Sequence, residues 1–159
     1  MFNRAGGRNV RTVVQSGNVL FEAPARDVAG VVQRVGKALR RTLGAESEIV
    51  LRGVGQIEAL IDDAPFRGIQ SGSAVKLYVT FLSRTPKVTP ALPLVSSREG
   101  LEIIGLNDRE VFVVSRPKGR GFFGFPKNFI EEQLGVSATT RNWLAVIKLV
   151  GLAQNQTDG

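Results

Sequence analysis

The feature of the sequence that most constrains its fold is a strongly alternating stretch at residues 74–82. Apolar side chains recur there at every second position: Val75, Leu77, Val79 and Phe81. This spacing is the period of a β-strand that buries one face. Because a single strand leaves its backbone groups and its apolar face uncovered, it needs neighbouring strands and a covering layer. The sequence therefore predicts a sheet at the centre of this chain.

Two β-hairpins are predicted to supply further strands. The first covers residues 10–23, where two apolar segments flank the turn residues Ser16-Gly17-Asn18. The second covers residues 101–115, where Asn107-Asp108 separates two similar segments. Asn, Asp, Ser and Gly favour turns because their side chains bond the local backbone or permit positive φ angles. Residues 48–52 are predicted as one more short strand.

Helical spacing of apolar residues predicts the covering elements. Val28 to Leu43 follow this spacing, and Gly44 is a typical helix stop. Residues 56–62 are predicted to form a second short helix. Asn128 is predicted to cap a third, with Glu131 at the capping-box position. The order of strands and helices predicts an α+β protein.

The element order further predicts two ferredoxin-like halves, each of the β-α-β-β-α-β type. The first half is expected at residues 1–70, where the leading strand and helix are missing. The second is expected at residues 71–152, and residues 153–159 form a polar tail. The repeat is one of topology, since the two halves share no visible sequence identity.

The composition of the chain excludes several classes of active site and metal site. The chain has neither Cys nor His, which excludes thiol nucleophiles, Ser-His triads and ordinary zinc or haem sites. Carboxylates alone could hold a hard cation, but the sequence has no dense carboxylate cluster, so no metal site and no cofactor are expected. No segment is long and apolar enough for a signal peptide or a membrane span, so a cytoplasmic location without a membrane partner is expected. The formal charge of +7 permits binding to nucleic acid or another polyanion.

The main candidate site is an anion site at the start of the last helix, which is predicted to open at Thr139–Trp143. Free backbone N–H groups and a guanidinium there suit a carboxylate or phosphate. If the turn of the first hairpin lies nearby, a small anionic ligand would bind between the halves. The predicted site residues are Gln15, Ser16, Asn18, Arg52, Thr140, Arg141 and Asn142. The alternative is structural: Thr139 or Thr140 caps the helix, while Trp143, Val146, Ile147 and Val150 pack inward.

A second candidate lies in the Gly- and Phe-rich segment 116–127, which is predicted to be a loop between Pro117 and Pro126. Basic and aromatic residues alternate there, as on surfaces that bind single-stranded nucleic acid. The candidate contacts are Lys118, Arg120, Phe122 and Phe123. The alternative is a loop whose Phe side chains fill the core.

A third hypothesis is a small hydrolase- or transferase-like enzyme. Such an enzyme would need a carboxylate base, and Asp62, Glu110 and Glu131 are the residues available. None of the three has a recognisable partner in the sequence.

Several segments resemble one bacterial family, catalogued as domain of unknown function 1697. The most specific are VRTVVQSGNVLF at residues 10–21 and ATTRNW at residues 138–143. Shorter matching segments fall between them in the same order: residues 50–52, 65–66 and 76–82. The resemblance extends from about residue 7 to residue 152.

The resemblance implies an α+β fold of two ferredoxin-like halves and an unassigned activity. It also implies that the family's leading strand and helix are absent here, as the element order suggests. A first half without them would expose apolar surface and a strand edge. Self-association through this N-terminal surface is therefore expected.

Overall fold

The computed structural model describes residues 1–13, 18–44 and 49–155. The chain combines helices with antiparallel sheets, which confirms the α+β class. The chain divides into two compact units, Met1–Leu51 and Arg52–Gly159. No helix in the described segments is long and apolar enough to cross a membrane.

The described residues of the first unit form a hairpin, a short 3-10 helix (Ala25–Asp27) and one α-helix. Strands β1 (Arg8–Val13) and β2 (Asn18–Glu22) pair antiparallel, which confirms the first predicted hairpin. Most of its turn, residues 14–17, lies outside the described residues. Helix α1 (Val28–Leu43) buries Val31 and Val35.

Helix α1 ends where the sequence predicts. Gly44 has a φ of 68°, the left-handed conformation that a residue without a Cβ adopts most easily. Arg34 on the polar side of α1 donates to the Ala5 carbonyl through Nε at 2.8 Å and Nη2 at 2.6 Å. This guanidinium therefore fixes the N-terminal turn against the helix.

The strand predicted at residues 48–52 is wrong in its described part, since residues 49–52 have no regular structure. A strand forms only where a neighbour can pair with it, and neither sheet that contains β1 or β3 includes this segment. Ile49 instead packs against the buried cluster that contains Val31 and Val35.

The second unit holds the larger sheet. Its elements, in chain order, are α2 (Val54–Asp62), β3 (Lys76–Leu82), β4 (Leu94–Ser96), β5 (Leu101–Asn107), β6 (Glu110–Ser115), β7 (Pro117–Lys118), β8 (Phe122–Phe123), α3 (Pro126–Leu134), β9 (Ala138–Asn142) and α4 (Trp143–Gln154). The strand predicted at residues 74–82, the second hairpin and the helix over residues 56–62 are confirmed.

The five-stranded sheet has the order β4-β5-β6-β3-β9, and every neighbouring pair is antiparallel. Strand β3 therefore lies inside the sheet, between β6 and the edge strand β9. The segment from β3 to β4, residues 83–93, contains no helix. Strand β9 lies at one edge of the sheet.

Helices cover both faces of this sheet. On one face, Ile130 and Leu134 of α3 pack with apolar residues of the strands, among them Leu82 and Ile103. On the other face, the Trp143 ring contacts Phe66 and Phe112 with centroid distances of 5.5 and 5.9 Å. A sheet covered on both faces explains why Leu77 and Val79 are buried together with Thr80 and Leu82.

The start of α3 differs from its prediction. The helix begins at Pro126, whose missing N–H costs nothing at a first helical position, so Asn128 is not its cap. Glu131 does not close a capping box. Its Oε1 accepts from Lys127 Nζ at 2.7 Å and from the Ala138 N–H at 3.0 Å. The helix ends at Gly135, as predicted, with a φ of 64°.

Candidate functional site

The stretch predicted to open the last helix is mostly a strand. Residues 138–142 form β9, with Thr140 opposite Thr80 of β3, and α4 begins only at Trp143. The cap is Asn142, whose Oδ1 accepts from the N–H groups of Leu144 and Ala145 at 3.0 and 3.3 Å. The predicted Thr cap is therefore wrong, because the β-branched Thr side chains stand in a sheet instead.

Two predicted ligand residues are buried and bonded within the fold. Arg52 Nε donates to Glu110 Oε1 at 2.7 Å, and the two side chains are 7% and 12% exposed. Its Nη2 also donates to the Leu82 carbonyl at 3.1 Å. The Thr140 hydroxyl lies 2.8 Å from that of Thr80 in the core. The side chains of Arg52 and Thr140 therefore make structural contacts within the second unit.

The remaining predicted members are divided between the two units. Arg141 is half-buried on β9, and its Nη1 donates to the Thr140 carbonyl at 2.9 Å. Burial lowers the pKa of this guanidinium from its ordinary value. Asn18 is the first residue of β2 in the first unit, while Gln15 and Ser16 lie outside the described residues. The site between the halves stays a prediction.

The Gly- and Phe-rich segment is more ordered than the predicted loop. Strands β7 and β8 form a small hairpin in which Lys118 lies opposite Phe122. Its turn contains Gly119 and Gly121 with φ angles of 58° and 86°, which other residues rarely adopt. Arg120 is exposed at the tip of this turn. Directly opposite residues share a face, so Lys118 and Phe122 stand side by side.

Two phenylalanine rings of this segment face solvent. Phe122 is 71% exposed and Phe125 is 58% exposed, so the alternative in which these rings fill the core is wrong for both. Phe123 is half-buried, and Lys76 Nζ lies 4.3 Å from the centre of its ring. The rings of Phe125 and Tyr78 meet edge-on, with 5.6 Å between their centres. Burial raises the pKa of the Tyr78 hydroxyl.

These residues lie on and around the β7–β8 hairpin of the second unit, and we call them the aromatic–basic patch. Its members are Lys76, Tyr78, Lys118, Arg120, Phe122, Phe123 and Phe125. Sequence reasoning missed Lys76 and Tyr78, although both project from the same face of β3 two residues apart. That shared face was the signal that could have found them.

Buried contacts fix the patch to the sheet. The Ser115 hydroxyl donates to the Gly124 carbonyl at 2.8 Å inside the protein. Gly124 packs so closely against Glu99 that a Cβ would overlap the Glu99 carbonyl oxygen. The segment between Phe123 and Phe125 is therefore held in place by backbone contact that only glycine permits.

Replacing Gly124 with alanine is expected to destabilise the second unit by about 1–3 kcal/mol, since backbone must move to admit the methyl group. Gly151→Ala is the matched control. Gly151 lies within α4 with no atom near its added Cβ, so this change should stabilise by about 0.5–1 kcal/mol. Urea unfolding followed by tryptophan fluorescence measures both. Equal shifts in the two variants would contradict the close packing at Gly124.

The segment that carries the hairpin is basic. Residues 116–127 include Arg116, Lys118, Arg120 and Lys127 but no acidic residue. Three of these cations reach carboxylates outside the segment: Lys118 contacts Glu99 at 3.4 Å, Arg116 contacts Glu102 at 3.2 Å and Lys127 contacts Glu131 at 2.7 Å. Such exposed pairs are weak and exchange readily with an anionic partner.

Of the three carboxylates named for the enzyme hypothesis, Glu110 and Glu131 have structural roles and Asp62 is the last residue of a helix. Glu110 is paired with Arg52, and the hydrogen bond from Lys127 lowers the pKa of Glu131, with a further contribution from the Ala138 N–H. A lowered pKa makes Glu131 a weak base. Asp62 ends α2. Among the described residues, no group of three or more acidic side chains could hold a metal ion.

An open cavity of about 260 Å³ lies elsewhere in the second unit. Its lining is Leu60, Asp63, Pro65, Gly105, Leu106, Asn107 and Phe112. The charged group of this lining is the carboxylate of Asp63. A cavity with this lining does not suit the anionic ligand expected from the sequence.

Comparison with known proteins places the chain in a family. The family model described as protein of unknown function (DUF1697) matches residues 1–112. The chain belongs to this family. The part matched to DUF1697 ends within β6, so the β7–β8 hairpin and β9 follow it. No curated protein and no solved structure matches the chain.

Proposed function

We propose that this DUF1697 protein binds single-stranded nucleic acid through the aromatic–basic patch. The observation that carries the proposal is the exposure of Phe122 and Phe125, at 71% and 58%, within a segment free of acidic residues. Solvent-facing rings beside cations suit unpaired bases and their phosphates, because every base offers a face for stacking. A duplex hides those faces, so the single strand is the preferred partner.

The contacts divide into two kinds. Phe122 stacks on a base, while its cross-strand neighbour Lys118 reaches the adjoining phosphate. Arg120 at the hairpin tip and Lys76 at the start of β3 extend the positive charge along the bound nucleic acid. The net charge of +7 supports long-range attraction of the polyanion. Such a partner also fits the cytoplasmic location proposed from the sequence.

Binding of a labelled polyuridine or polythymidine oligonucleotide, measured by fluorescence anisotropy, tests the proposal. We expect Phe122→Ala to weaken binding roughly 5- to 150-fold, since stacking on one aromatic ring contributes about 1–3 kcal/mol. If three cations of the patch contact phosphates, the logarithm of affinity should fall with that of salt concentration with a slope of about −2.

Matched variants separate stacking from charge. Phe122→Leu keeps an apolar side chain but removes the ring, so it should weaken binding nearly as much as alanine. Arg120→Ala should weaken binding more than Lys87→Ala, which removes the same charge from an exposed position in another loop. Tight binding to a duplex of the same length, or wild-type affinity in Phe122→Leu, would overturn the proposal. Binding that follows net charge alone would do so too.

The anionic-ligand site between the halves receives less support from the described residues. Arg52, Thr140 and Asn142 already bond within the second unit. What supports such a site is the half-buried cation of Arg141. Inorganic phosphate that protects the protein against thermal unfolding, and does so less in Arg141→Gln, would favour it over the aromatic–basic patch.

We also propose that the second unit derives from a ferredoxin-like half. Four of its strands follow the order β9-β3-β6-β5, and α3 connects β6 to β9. This is the strand order 4-1-3-2 of a β-α-β-β-α-β unit, with an extended segment in place of the first helix. The first half, with β1, β2 and α1, would be a shortened copy of the same unit.

A further inference from the structure

Among the residues that the structure describes, β9 pairs with another strand on one side only. It pairs with β3, and the sheet order places it at an edge. Just before β9, the Ser83 N–H donates to the Ser137 carbonyl at 3.0 Å. In an antiparallel ladder the residues that bond the partner alternate. The backbone groups of Thr139 and Arg141 therefore face β3, and those of Ala138 and Thr140 face outward.

Side chains cover two of these outward backbone groups. Glu131 of α3 accepts from the Ala138 N–H at 3.0 Å, and Arg141 donates to the Thr140 carbonyl at 2.9 Å. Lys127, one turn earlier in α3, holds the Glu131 carboxylate at 2.7 Å. An uncovered strand edge is a template for another strand, and charged side chains are a common way to block it.

We propose that Glu131 and Arg141 act as edge caps on β9, and that without them β9 pairs antiparallel with β9 of a second copy of this chain. The occupant follows from self-complementarity. Pairing centred on Thr140 places its N–H and carbonyl opposite the carbonyl and N–H of the same residue in the other copy. Arg141 then lies opposite Thr139, so the two guanidinium groups do not face each other.

The caps and such a dimer exclude each other at the same atoms. A Thr140 carbonyl bonded by Arg141 is less available to the Thr140 N–H of a second copy. An Ala138 N–H bonded by Glu131 is likewise withheld from the other strand. The wild-type chain is therefore expected to resist self-association through this edge. The inference does not depend on the proposed function.

Sedimentation velocity over a range of protein concentrations tests this inference. We expect Glu131→Ala to form dimers at a concentration at least tenfold lower than the wild type, whereas Glu132→Ala should behave as the wild type. Glu132 is the matched control, because it is an exposed neighbour in α3. Hydrogen exchange adds the decisive readout: in the dimer, the Thr140 N–H should exchange more slowly than in the monomer.

Arg141→Gln removes the other cap and provides a second test if Glu131→Ala does not fold. Circular dichroism and the fluorescence of Trp143 establish that each variant is folded. Folded cap variants that associate no more than the wild type would overturn the inference. So would dimers in which exchange of the Thr140 N–H is unchanged, since these would associate through another surface.

Discussion

Replacing Arg52 with alanine is expected to lower the free energy of unfolding of the second unit by about 3–5 kcal/mol. The change leaves Glu110, whose side chain is 12% exposed, without its cation. It also removes the donor that reaches the carbonyls of Leu82 and Arg109 at 3.1 and 3.3 Å. Urea unfolding followed by the fluorescence of Trp143 measures the effect, because this residue lies in the same unit.

Two further variants show whether the buried pair is the cause. Arg109→Ala removes a neighbouring Arg that is 37% exposed and only 3.8 Å from Asp108, so it should change stability by no more than about 0.5 kcal/mol. The double variant Arg52→Met/Glu110→Leu should recover most of the loss, because no buried charge remains uncompensated. A loss in Arg52→Ala no larger than that in Arg109→Ala would contradict this account.

Replacing Trp143 with alanine should cost about 3–5 kcal/mol, as for other buried aromatic residues. Its ring is 5% exposed and closes a three-ring cluster with Phe66 and Phe112, which themselves contact at 5.8 Å. The change leaves a cavity under the first turn of α4 and removes two aromatic contacts. Because Trp143 is the only Trp of the chain, far-UV circular dichroism must follow the unfolding.

Leu144→Ala is the control for this prediction. Leu144 is the next residue of α4 but is 47% exposed, so its truncation should cost well under the loss expected at Trp143. The two positions test which face of the helix start carries the packing. Similar losses at both would mean that Trp143 does not anchor α4 as the structure indicates.

Local patterns in the sequence predicted the elements that depend on local physics. The alternation at residues 74–82 and the turn at Asn107-Asp108 predicted β3 and the β5–β6 hairpin. Gly44 and Gly135 predicted two helix ends, because positive φ angles at those ends suit glycine. Each of these signals depends on residues close together in the chain.

The wrong predictions concern contacts between distant residues. The side chains of Thr139 and Thr140 can either cap a helix or occupy a strand. They occupy a strand because this segment pairs with β3, some 60 residues earlier in the chain. Arg52 was assigned to a ligand because its partner Glu110 is 58 positions away. The exposure of Phe122 likewise depends on how the β7–β8 hairpin rests on the sheet, which composition does not reveal.

The pairing of β3 with β9 also bears on how this protein is made. The Thr80–Thr140 contact joins residues 60 positions apart, so β3 leaves the ribosome long before its last neighbour, β9. At typical elongation rates of about 5–20 residues per second, the delay is roughly 3–12 s. During this time β3 can pair with β6 but keeps its other side open. We therefore expect the nascent second unit to need protection from other chains until α4 has been synthesised.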